Sequence, residues 1–245
     1  MPRLLVVQHL EREGPGLFAQ AAAARGWELQ VFRPDRGEPL PEPGPGDLLL
    51  VLGGPMGVAQ IGDPALPWLA AEVALLERVL RQQRPVVGIC LGAQLLAHAA
   101  GGAVEPLAIG TAATPVREVG WGAVSFSRTP EQEPLLVGLD PSELVLHWHG
   151  DRILLPEGAT LLASSLLCRE QMFRLGSRAL GLQFHVELLP DDLERWLQED
   201  GAYVEEALGP AGAVRLREEA GRWGDRARRQ GRRLIDNLLD GMALS

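Results

Sequence analysis

The chain has 245 residues, 46% of them hydrophobic and 22% charged, with a formal net charge of −9 at pH 7. That apolar share suffices for a substantial core, and the acidic balance argues against broad contact with nucleic acid or an anionic membrane. Cys90 and Cys168 fit neither a disulfide framework nor a thiolate metal site, and the absence of lysine excludes a Schiff base or a phosphate-loop lysine on this chain.

The first apolar stretch, LLVV, is interrupted by Gln8, His9 and Glu11. It is too short for a secretory signal or a membrane span, so a cytoplasmic location is expected. In chain order, RLLVVQ reads as a strand, GLFAQAAAARG as a helix, and WELQVF and DLLLVLGG as further strands. Leu66 to Gln83 has helical periodicity, PVVGI is a fourth strand, and Leu91 to Ala100 is a helix closed by Gly101 and Gly102. Continuous apolar strands alternating with helices predict an open, mostly parallel sheet flanked by helices, an α/β fold. From Ala112 to Phe184 the pattern changes to strand-like segments separated by turns, predicting strands that extend or flank the sheet. After Pro190 the pattern is helical. The arginine-rich end, GRWGDRARRQGRRLIDNLLDG, places Leu234, Ile235, Leu238 and Leu239 on one side of a helix, as a packed amphipathic helix does. The simplest organisation is a single domain over 1–245, with 190–245 a helical extension.

Cys90 stands between Gly88 and Gly92 in RPVVGICLGAQLLAHAAGG, where a strand runs into a helix. A residue at the tip of such an elbow needs small neighbours two positions away. The sulfur then sits at the carboxyl end of a parallel strand and at a helix N-terminus, which favours the reactive thiolate, with the Leu91 N–H as a donor beside it. A second glycine-rich turn, LGGPMGV, follows the third strand and offers an N–H from Gly54 or Met56 to a developing oxyanion.

A thiol nucleophile needs an imidazole. His98 lies two helical turns beyond Cys90, about 12 Å away, and cannot reach it. His9 ends the first strand and is a pocket residue without an assigned role. Two motifs remain. In GLQFHVE, His185 and Glu187 are two apart at a strand end, so both side chains point the same way and the carboxylate can fix the imidazole. In HWHGDR, His147, His149 and Asp151 are similar to the H-x-H-x-D run of metal-dependent hydrolases, but Arg152 stands where a further histidine is needed. No metal is expected there.

Taken together, GICLGAQLLA, GGPMGV, HWHGD and GLQFHVE resemble, in order, the nucleophile elbow, oxyanion turn, substrate-side loop and histidine-glutamate motif of the class I glutamine amidotransferases. The resemblance covers roughly Arg3 to Leu189. EVGWG, HWHGD and VQHLEREGPG are most similar to the stand-alone branch whose members look like GMP synthase. The resemblance implies a flavodoxin-like sheet and a catalytic triad of Cys90, His185 and Glu187. It further implies oxyanion donors at Gly54 and Leu91 and substrate contacts from Met56, Gln94, Gly150 and Asp151. One departure is Val186, where the family usually has proline; an extended backbone is kept, with one rigid spot loosened.

The implied reaction is glutamine hydrolysis through a γ-glutamyl thioester, without a cofactor. Ammonia is then expected to pass to a separate ATP-dependent synthetase, since no second nucleotide domain is legible. The alternative is a free-standing γ-glutamyl peptidase acting on larger γ-glutamyl compounds; a metal-dependent hydrolase or an inactive binding module ranks below both.

Overall fold

A computed structural model describes residues 2–110 and 113–243 of the chain. β1 (Arg3–Val7) is followed by α1 (Gly16–Ala24), β2 (Glu28–Phe32), β3 (Leu48–Val51), α2 (Pro67–Arg81), β4 (Val86–Ile89) and α3 (Leu91–Ala99). Next come β5 (Ala103–Pro106), β6 (Ala108–Ile109), β7 (Thr114–Pro115), β8 (Glu118–Phe126), β9 (Ser142–His149) and β10 (Asp151–Leu154). β11 (Thr160–Ser164), β12 (Met172–Leu175) and β13 (Ala179–Leu182) complete the strands, and α4 (Asp192–Glu199), α5 (Gly201–Leu208) and α6 (Gly212–Ala243) follow.

The main sheet runs β2-β1-β3-β4-β13-β12-β11-β8-β9. From β2 to β13 every neighbouring pair is parallel, and from β13 to β9 every pair is antiparallel. The inner strands of the parallel half are buried on both faces because they are almost wholly apolar, whereas the edge strand β2, which carries Glu28 and Gln30, is largely exposed. Leu4 and Val6 of β1 and Leu48 and Leu50 of β3 face one core, with α1 and the end of α6. The alternate residues Leu5, Val7, Leu49 and Val51 face the other, with α2 and α3. That is the period-2 alternation of a strand put to use on both sides. A third cluster joins β8 and β9 to the C-terminal helices, through Val119, Leu146 and Trp148 against Leu193, Trp196, Leu197, Val204 and Leu216.

The predicted α/β sheet with added antiparallel strands and C-terminal helices is present. α2 is shorter than the apolar pattern suggests: Pro67 starts its first turn, and it ends at Arg81, just before Gln83 turns to φ 51°. β5 and β10 pair with each other in a small separate sheet, and neither was legible, because β5 is mostly exposed and β10 opens on Asp151 and Arg152. Ala112, where the strand-rich half is predicted to begin, lies outside the described residues. Among the described residues no helix is long and apolar enough to cross a membrane.

Candidate active site

Cys90 alone turns the chain from β4 into α3. Its backbone is driven to φ 49°, ψ −108°, a region that costs a non-glycine residue about 1–3 kcal/mol and persists only where the surroundings over-determine it. The two glycines do that here. A Cβ on Gly88 would lie 2.4 Å from the Gly92 carbonyl oxygen, and one on Gly92 would lie 2.1 Å from that of Val51. The Cys90 N–H donates to the Leu182 carbonyl at 2.8 Å, and the Gln94 N–H donates to the Cys90 carbonyl at 3.0 Å. The sulfur is nearly buried, 3.8 Å from the Trp148 carbonyl oxygen and 3.6 Å from the donating Gln183 Nε2.

β13 lies beside β4 with Leu182 opposite Ile89, so the residues after Leu182 emerge at the same end of the sheet as Cys90. The His185 N–H donates to the Leu146 carbonyl at 2.8 Å, tying this segment to β9. The His185 ring shares the cleft with Cys90, and its Nδ1 lies 2.6 Å from Glu187 Oε1. Burial works against a charge on this ring. The Glu187 carboxylate and its hydrogen bond to the ring, together with Cys90, more than offset it and hold His185 well above the ordinary imidazole value. Trp196 of α4 packs its edge against the imidazole, with centroids 4.8 Å apart and planes at 88°. The Val186 N–H donates to Glu187 Oε2 at 2.9 Å. Valine therefore supplies a donor that proline lacks, and the carboxylate is held from both oxygens.

Cys90 and His185 open onto a cleft of about 810 Å³. Gly54, Met56, Gln94, Gly150 and Asp151 all line it; Glu187 lies behind His185, and Leu91 places its N–H in the first turn of α3. Gln94 Nε2 donates to Gln183 Oε1 at 3.3 Å, which links it indirectly to the sulfur. Several residues at the site had no role legible in the sequence. Glu13 is buried between Gly53 and His185, and burial raises its carboxyl above the ordinary value while the His185 charge pulls the other way. The outer wall comes from Arg117, which pairs with Glu206 at 2.7 Å and lies over the Tyr203 ring at 4.8 Å. Of these, Gln183 and Glu13 sit inside stretches the sequence singled out, neither with a role assigned there.

The family model for class I glutamine amidotransferases matches residues 17–201. The chain belongs to the class I glutamine amidotransferase family. It is 30% identical over 210 residues to the glutamine amidotransferase-like protein YfeJ of Salmonella typhimurium, covering 84% of each chain. It is 36% identical over 139 residues to the GMP synthase [glutamine-hydrolyzing] of Porphyromonas gingivalis, covering 56% of this chain and 26% of that protein. The chain thus spans about a quarter of the length of that synthase. A crystal structure of a glutamine amidotransferase from Thermotoga maritima superposes with a TM-score of 0.83 at 28% identity, covering 97% of this chain and 98% of the other. One from Methylobacillus flagellatus gives 0.81 at 26% identity, covering 98% and 94%.

Of the other histidines of this amidotransferase-family chain, only His149 lines the cleft. His9 is fully buried behind the glycine turn, its Nδ1 donating to the Gly53 carbonyl at 2.8 Å and its Nε2 3.1 Å from both Glu72 oxygens. Burial opposes its charge, but Glu72 outweighs that and raises its basicity. It supports the turn and does not line the cleft. His147 and His149 do not gather around Asp151. The carboxylate they approach belongs to Glu118 of β8, while Asp151 lines the cleft.

Proposed function

We propose that the chain hydrolyses the side-chain amide of glutamine to glutamate and ammonia, with Cys90 as nucleophile, His185 as base and acid, and Glu187 as the residue that orients His185. The observation that carries this reading is that Cys90, at the tip of its strained elbow, shares one cleft with His185, whose Nδ1 is held by the buried Glu187 carboxylate at 2.6 Å. An imidazolium beside a sulfur is the partner a thiolate nucleophile needs. The thiolate attacks the amide carbonyl carbon, and the Gly54 and Leu91 N–H groups receive the developing oxyanion. The C–N bond then breaks as His185 gives its proton to the departing nitrogen, which leaves as ammonia and a γ-glutamyl thioester on Cys90. Water, deprotonated by the neutral imidazole, attacks the thioester and returns the sulfur as thiolate. Gln94, Met56, Gly150 and Asp151 are assigned to substrate binding.

Ammonia would pass to a separate ATP-dependent synthetase in the cytoplasm. The likeness to one part of a much longer GMP synthase supports a division of labour of that kind. A second reading, cleavage of larger γ-glutamyl compounds, is favoured by the cleft itself, whose volume falls in the range of pockets that enclose drug-sized molecules.

The test is direct. Cys90→Ala should reduce ammonia release to background while leaving the circular dichroism spectrum unchanged, and mass spectrometry of the quenched parent should find the γ-glutamyl adduct on Cys90. Activity retained in Cys90→Ala, or an adduct on Cys168, would overturn the assignment.

A further inference from the structure

We propose that Glu118, His147 and His149 form a binding site for a divalent transition-metal ion, zinc by the chemistry of the donor set, at the end of β9 beside the cleft that holds Cys90. The pairing of β8 with β9 sets Glu118 opposite His149 and Gly120 opposite His147. One ligand atom from each of Glu118, His147 and His149 lies within 4.8 Å of the others, and all three residues are buried. His149 Nε2 is 3.1 Å and His147 Nδ1 4.0 Å from the same oxygen, Glu118 Oε2. Two ligand atoms on a tetrahedral zinc, each about 2.0–2.2 Å from the metal, are separated by about 3.3–3.5 Å, so the observed spacings bracket what an ion requires.

Two independent observations point to a cation site. The first is His147: its side chain is only 4% exposed, and neither ring nitrogen has a hydrogen-bond partner. Buried imidazoles left with both nitrogens unpaired are rare in folded proteins unless an ion or a water is bound. The second is His149. Its Nδ1–H donates to the Asp151 carbonyl at 2.9 Å, which aims Nε2 at the Glu118 carboxylate. A backbone carbonyl on the other nitrogen is the usual way a metal-binding histidine is oriented. In that tautomer the Nε2 lone pair points at the Glu118 carboxylate 3.1 Å away, with Gln171 Nε2 at 3.3 Å shared between the two, and a cation between ring and carboxylate would be their common partner. The carboxylate is steadied as a ligating group would be, by Ser165 Oγ on Oε1 and Gln171 Nε2 on Oε2, each at 2.6 Å. The buried Gln171 Oε1 is also unpartnered, leaving an oxygen free beside the site. Two imidazoles and a carboxylate, with a fourth position open, make a zinc-type donor set.

The place of the site gives it a consequence. Trp148 lies between the two histidines in sequence, and its carbonyl oxygen faces the Cys90 sulfur; Gly150 and Asp151 follow directly and line the cleft. An ion on His147 and His149 therefore pins the end of β9 that forms one wall of the active site. This inference does not depend on the proposed chemistry of Cys90.

The experiment uses the full chain carrying Cys90→Ala, so that the thiol and His185 cannot serve as a competing site. The protein is stripped with chelator and titrated with cobalt(II) as a spectroscopic probe, and zinc is then added in competition. One cobalt per chain should bind with the ligand-field bands of a four- or five-coordinate ion, and zinc should displace it. Zinc at about 100 times its Kd should raise Tm by about 5–10 °C. Glu118→Gln and His147→Gln should each abolish the bands. Absence of both bands and Tm shift in Cys90→Ala overturns the site, as does their persistence in the two ligand variants. If a ligand variant does not fold, Cys90→Ala with isotope-labelled histidine decides: zinc should move the ring-nitrogen resonances of His147 and His149 and leave the other three of the five histidines in place, and any other pattern overturns the proposal.

Discussion

Glu187 acts on His185 through charge and through one short hydrogen bond. Because the folded value of His185 is raised, its proton stabilises the native state fully below the ordinary value of 6.5, and that contribution is lost as pH rises through the raised value. Glu187→Gln removes the charge, so both the loss of stability and the alkaline fall in activity should begin at a lower pH. The rate should fall less than in His185→Ala, because the carboxylate does not itself carry the transferred proton. Histidine resonances followed against pH, with activity measured on both folded variants, check this; an unmoved His185 midpoint or equal losses would count against the roles assigned. Val186 yields a second test. Val186→Pro keeps an extended backbone but strands Glu187 Oε2, costing about 1–3 kcal/mol, partly offset by about 0.4–1 kcal/mol from a stiffer unfolded chain. Chemical denaturation should show a net loss, and a gain would show that the Val186 N–H bond carries little weight. From sequence, valine here reads as a loosened spot, because a backbone N–H has no signature in a string of letters. Cys90, His185 and Glu187 were legible because their spacing along a strand end or elbow is itself the geometry. Glu13, Gln183 and Trp196 were not, because each reaches the site through contacts between distant parts of the chain.

At the scale of elements, the site is a consequence of where parallel strands end. β1, β3, β4 and β13 deliver His9, the glycine turn, Cys90 and the His185 segment to one edge of the sheet, in the register that places Leu182 beside Ile89. The alternation of strands with helices made β1 to β4 legible: β1, β3 and β4 are apolar runs buried on both faces, and the exposed edge strand β2 keeps enough apolar residues to read as a strand. The small β5–β10 pair could not be read the same way, because its strands are short and partly exposed. The elbow between β4 and α3 is the element most sensitive to a single atom. Gly88→Ala puts a methyl 2.4 Å from the Gly92 carbonyl oxygen, and since that contact is with backbone the relief must come from moving α3. Such overpacking costs about 1–3 kcal/mol, and the shift of α3 moves Cys90 relative to His185. Gly88→Ala should therefore lose activity well beyond what its fall in Tm implies, read as kcat at a temperature where circular dichroism shows it folded. Full kcat in a folded variant would mean that the elbow tolerates a wider turn.

Over the whole molecule, the C-terminal helices are packed into the same body as the sheet. Leu234, Ile235, Leu238 and Leu239 of α6 are buried in the same core as α1 and the parallel sheet. The arginines of its polar face are used locally: Arg217 pairs with Glu194 at 2.7 Å, Arg226 with Asp140 at 3.4 Å and Arg232 with Asp236 at 3.0 Å. Exposed pairs of this kind contribute about 0–1 kcal/mol each, so the arginine-rich run is held by its leucine stripe. α4 and α5 reach further. Trp196 packs on His185, Asp200 accepts a hydrogen bond from Trp148 Nε1 at 2.8 Å, and Tyr203 and Glu206 form the outer wall of the cleft with Arg117. That wall lines the same cleft as Cys90, and the two functional readings make different demands on it. A glutaminase that supplies a separate synthetase has no use for contacts there, whereas a γ-glutamyl peptidase must hold the rest of its substrate against them. The purified chain alone is expected to release ammonia from glutamine slowly, since a site completed by a docking partner avoids wasting glutamine. Arg117→Ala should then change the KM for glutamine by less than about twofold, having removed no contact to the γ-glutamyl group. Steady-state ammonia release from glutamine, set beside amine release from a γ-glutamyl dipeptide, makes the comparison in the parent and in Arg117→Ala. Fast, partner-free cleavage of the dipeptide with little action on glutamine, weakened in Arg117→Ala through KM, would replace the synthetase-linked reading with the peptidase.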